Sequence, residues 1–77
     1  MFDIERDLLV EILKEFYKTG ITPEQIEKRI YPHCTARTIR NYLNGITKPS
    51  RAKYNIILPF LKSEFGVEYN IIKQRIL

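Results

Sequence analysis

With 77 residues, 44% of them hydrophobic, the chain is sized for one domain with an economical core, because a chain this short buries only roughly 60% of the surface it exposes when unfolded. Its single cysteine, Cys34, excludes an internal disulfide and, with no signal-peptide pattern, predicts a reducing cytoplasm; no apolar run approaches the roughly 20 residues that span a bilayer, so the chain is expected to be soluble. The net charge of +4 is concentrated: residues 21–53 carry seven basic and two acidic side chains, against three and five in residues 1–20 and three and two in residues 54–77, a pattern suited to a polyanion.

The apolar spacing is helical throughout and predicts five helices without repeats or long linkers. The first runs from about Ile4 to Thr19, with Asp3 as N-cap and Gly20 as the stop. Its apolar residues, from Ile4 to Tyr17, occupy well over half the circumference and require cover from more than one side. The second opens at "TPEQ": Thr22 caps, Pro23 takes the first helical position and Gln25 completes a capping box. It buries Ile26 and Ile30 and stops at Tyr31, which the following Pro32 pushes away from helical geometry. The third starts after "YPHC", with Thr35 as cap, Ala36 to Asn44 helical, and Gly45 placed for the left-handed conformation beyond the end. After the turn "ITKPS", Ser50 caps a fourth helix from about Arg51 to Phe65, ending at Gly66 and kinked or broken at Pro59. A last short helix is expected from about Asn70 to Leu77.

The third helix carries the chemistry. At about 100° per residue from Ala36, the residues Ala36, Leu43, Ile39 and Tyr42 form the inward face, while Arg40, Asn44, Arg37 and Asn41 fall together in an arc of about 40° to 140°. Arginine can bond guanine bidentately and asparagine adenine, and Thr35 and Thr38 can reach a phosphate or a thymine methyl. A solvated helix face also carries such residues, but Lys48, Arg51 and Lys53 follow directly, at a helix start where cations oppose the dipole unless an anion lies nearby. Groups that hold phosphate beside groups that read bases are the division of labour expected of a DNA-binding surface.

From Thr22 to Val67 the chain resembles the helix-turn-helix domain of the lambda-repressor/Cro (XRE) family, "TPEQIEKRI" corresponding to the positioning helix and "TARTIRNYLNG" to the recognition helix. The run "TIRNYLNGITKPS" is the specific part of the likeness. It departs from the pattern in having Glu27 where a small residue is usual, and a longer, glycine-free turn "YPHCT". The resemblance implies an all-α, lambda-repressor-like bundle of about five helices in a single domain, spanning residues 1–77, and a transcriptional regulator, repressor-like, from a bacterium or phage. It further implies that Gln25 contacts phosphate and that Thr35, Ala36, Arg37, Arg40, Asn41 and Asn44 face the groove.

The partner is therefore expected to be double-stranded DNA, bound by a homodimer, because one recognition helix covers only a few base pairs. The apolar Val67, Ile71, Ile72, Ile76 and Leu77 exceed the needs of one short docking helix: either they close the core or they meet a partner chain, and the second is expected, so deleting residues 71–77 should leave a folded monomer. No catalytic residue, metal or cofactor is expected. His33 and Cys34 are adjacent, but one of each cannot complete a zinc site, and they read as turn and core residues. Two neighbouring functions stay open: the antitoxin of a toxin–antitoxin pair, and a small helical protein-binding module such as a phage-encoded inhibitor of a host protein.

Overall fold

Five helices succeed one another in the computed structural model, which describes residues 2–76: α1 (Phe2–Lys18), α2 (Pro23–Ile30), α3 (Ala36–Leu43), α4 (Arg51–Glu64) and α5 (Gly66–Ile76). The fold is all-α, with no strand among the described residues. α1 is the central element and packs against α3, α4 and α5, which is how its wide apolar face is covered. α2 lies against α3 and α4, and α4 against α5. Leu9, Ile12, Leu13 and Phe16 of α1 meet Ile26 and Ile30, Ile39 and Tyr42, Ile57 and Leu61, and Tyr69 and Ile72 in one continuous core. Ile4 and Tyr17, at the two ends of α1, stay exposed.

Local signals account for most of the boundaries. Gly20 ends the first segment at φ +96°, a conformation that L side chains rarely adopt. The reciprocal bonds of the Thr22 capping box are both made, the Gln25 N–H donating to Thr22 Oγ1 at 3.3 Å and the Thr22 N–H to Gln25 Oε1 at 3.0 Å. Tyr31 leaves the helical region at ψ 138°, as the following proline demands.

Two expectations are corrected, and an open alternative is closed. Asp3 does not cap α1; the helix begins one residue before it, and its carboxylate instead pairs with Arg6 at 2.8 Å, one turn along. An acid there still complements the positive end of the helix dipole. Of the two alternatives at Pro59 the break does not occur: α4 runs through it, because Pro59 and Asn55 are both exposed and water can satisfy the carbonyl that the missing N–H leaves. The last helix begins at Gly66 rather than near Asn70: the break is confined to Phe65 (φ −128°, ψ 41°), and the early start carries Tyr69 into the core.

The turn between α2 and α3 is held from three directions. Cys34 is buried, and burial pushes its thiol above the ordinary pKa. His33 stacks on Phe60 of α4 with ring centroids 5.0 Å apart, and the Lys53 ammonium donates to the His33 carbonyl at 2.8 Å. Glu27 crosses from α2 to accept the Ala36 N–H at 2.7 Å, satisfying one of the otherwise unpaired amides at the start of α3. The Glu27 side chain thus spans the turn, tying α2 to the first residue of α3.

Candidate nucleic-acid interface

α3 is only eight residues long, about 12 Å of helix, and both ends are closed sharply. At its start the Thr38 N–H donates to Thr35 Oγ1 at 3.2 Å, the two threonine hydroxyls lie 3.0 Å apart, and Glu27 takes the Ala36 amide. At its end Asn44 is the cap and Gly45 turns to φ +74°, so that the Ile46 N–H reaches back to the Asn41 carbonyl at 2.9 Å. Ala36, Ile39 and Tyr42 are buried and Leu43 half-buried. Arg37, Arg40 and Asn44 are exposed on the other side, and Asn41 is half-buried.

Of the residues expected to meet a nucleic acid, the arc on α3 is therefore gathered on one surface, but its members differ in their surroundings. Arg40 forms an ion pair with Glu24 of α2. Arg37 forms none among the described residues. The hydroxyls of Thr35 and Thr38 are engaged with each other at the helix start. Arg51 is exposed in the first turn of α4, where Ser50 Oγ accepts the Lys53 N–H at 3.1 Å.

The other expected phosphate contacts differ in their surroundings. Lys53 is half-buried and bonded to the His33 carbonyl. Lys48 borders a cleft with Asp7, Glu11 and Lys14 of α1. Gln25 has its carbonyl oxygen in the capping box and shares a cleft with Arg29, Glu64 and Glu68, on the side of α2 toward α4 and α5. Of the expected dimer residues, Ile72 belongs to the core of its own chain, Ile76 packs partly against that core, Ile71 is exposed, and Leu77 lies outside the described residues.

The structure also adds residues that the sequence did not single out. Lys14, Tyr17 and Lys18 of α1 line an open cleft of about 440 Å³ together with Arg40, Leu43 and Asn44 of α3. The lysines pair within α1, Lys14 with Glu11 at 3.5 Å and Lys18 with Glu15 at 3.0 Å. Exposed pairs of this kind are weak and do not keep an ammonium group from a polyanion. No local spacing links residues 14–18 to residues 40–44; Tyr17, on the overwide apolar face of α1, was the one sequence signal.

The tie from Glu27 gives a direct test of how α3 is held. Glu27→Ala should lower stability by about 1–2 kcal/mol, because it leaves the Ala36 amide at the helix start without its carboxylate. Glu27→Gln, which keeps an acceptor oxygen, should recover most of the loss in a thermal melt. Equal melting temperatures for all three proteins would show that the turn is set by its other contacts.

No family model, curated protein or solved structure matches this chain.

Proposed function

We propose that the chain is a sequence-specific, double-stranded-DNA-binding transcriptional regulator of the lambda-repressor/Cro kind, which lays α3 in the major groove. The observation that carries this is the outward face of α3, where Arg37, Arg40 and Asn44 are exposed, with Asn41 beside them, on a helix whose opposite face is buried. A helix with its side chains is about 10–12 Å across, which the roughly 12 Å width of a major groove admits, and guanidinium and carboxamide groups are those that read guanine and adenine there. Both acids within the basic middle segment are engaged, Glu27 on an amide and Glu24 on Arg40, which leaves Lys28, Arg37 and Lys48 without an acidic partner among the described residues. So short a helix covers few base pairs, and two copies on a roughly palindromic site would supply the specificity.

Selection from a random duplex pool at low salt, with the mass of the complex measured in solution, tests the proposal. A single enriched motif is the expected outcome. No retention of the pool, and none of mixed genomic DNA, would overturn it in favour of a protein partner. That second reading is supported by the exposed Val67 and Ile71, one helical turn apart on α5, since neighbouring large apolar side chains left in water mark association surfaces.

A further inference from the structure

We infer that Glu24 is a positioning residue that sets how Arg40 chooses between a base and a phosphate; this rests on the DNA-binding reading of α3. Arg40 projects from the middle of that helix, and its Nη2 meets Glu24 Oε2 of α2. On its other side the cleft is bordered by the ammonium-bearing Lys14 and Lys18, each already facing a carboxylate of α1. The guanidinium thus has cations on one flank and Glu24 on the other, which draws it toward α2. Guanidinium is planar and carries five N–H donors, so the bond to Glu24 occupies one and fixes the plane while others remain for a second acceptor.

The nature of that acceptor then matters. The O6 and N7 atoms of guanine are neutral, and they can share the guanidinium with a carboxylate. A phosphate oxygen is anionic and meets Glu24 as a like charge. A carboxylate held beside the reading arginine therefore disfavours backbone binding more than base binding, which is discrimination by repulsion rather than by added attraction. The pair is about half exposed, at 50% and 56% for the two side chains, so its contribution to fold stability is small and its effect falls on recognition.

The test is a double-mutant cycle of the wild-type protein, Glu24→Gln, Arg40→Gln and the double variant, each titrated with salt on the selected duplex and on a scrambled one. Glu24→Gln should bind the scrambled duplex about fivefold more tightly and steepen its salt dependence by about one phosphate contact, while the ratio between the duplexes falls about tenfold. Its melting temperature should not move. In the Arg40→Gln background the same change should alter neither the ratio nor the slope. An equal gain on both duplexes, with or without Arg40, would reduce Glu24 to a general surface charge and overturn the inference while leaving DNA binding intact. A wild-type protein that binds neither duplex would instead overturn the DNA-binding reading, and the inference with it.

Discussion

Ile72→Ala is expected to destabilise the domain by about 2–5 kcal/mol, whereas Ile71→Ala, one residue earlier in the same apolar run, should cost less than about 1 kcal/mol. The difference follows from placement: Ile72 is 1% exposed in the shared core, and Ile71 is 49% exposed. A loss of that size is a large part of the 5–15 kcal/mol that holds a typical domain together. Removing residues 71–77 should accordingly unfold the chain rather than release a folded monomer, which reverses the expectation drawn from the sequence. Urea denaturation of the two point variants decides the matter. Comparable midpoints would mean that α5 does not close the core. Any pairing of two copies through α5 falls to Val67 and Ile71, which face away from that core at 71% and 49% exposure.

Why the run "NIIKQRIL" misled is clear once α5 is seen to begin at Gly66. Read as a helix of barely two turns, it carries more apolar residues than it can dock. Read as an 11-residue helix from Gly66, it buries Tyr69 and Ile72 on one side and leaves Val67 and Ile71 on another. The start was hidden because glycine is a common stop signal, and here the break falls on Phe65 instead.

Where a boundary depends on neighbouring residues alone, as at Thr22 with Gln25 or Thr35 before Ala36, the sequence was enough to locate it. The wheel of α3 was legible for the same reason, since a helix with Ala36, Ile39 and Tyr42 inward must turn Arg37 and Arg40 outward. Contacts across the fold were not. Nothing near Lys53 in sequence indicates that its ammonium lies on the His33 carbonyl, and nothing near Glu24 indicates Arg40, 16 residues away. These pairings arise from how α2, α3 and α4 pack, and they redistribute roles within the candidate interface: Lys53 fastens a turn, and Arg40 shares its charge with an acid.

That redistribution makes Arg37 the arginine whose loss should be simplest to interpret. It is exposed in the first turn of α3 and has no ion pair among the described residues, so Arg37→Ala removes no contact of the fold and should leave the melting temperature where it is. On the selected duplex it should cost about 1–3 kcal/mol and relax the preference at one base pair, the loss expected of a bidentate base contact. Asn44→Ala should behave in the same way at a different base pair, because Asn44 lies on the same arc about two helical turns further along from Arg37. Arg51→Ala should differ in kind. Placed at the start of α4 beyond the arc, it should weaken binding to selected and scrambled duplexes alike and lower the salt slope by about one. Lys53→Ala should differ again, since its ammonium bonds a carbonyl of the α2–α3 turn: the melting temperature should fall first, with affinity following the fold. Salt titrations on the two duplexes, run beside melts of the same four proteins, separate the three patterns. If Arg37→Ala and Arg51→Ala lose affinity equally on both duplexes, α3 grips the backbone without reading bases, and the specificity assigned to its outward face has to be sought elsewhere on the molecule.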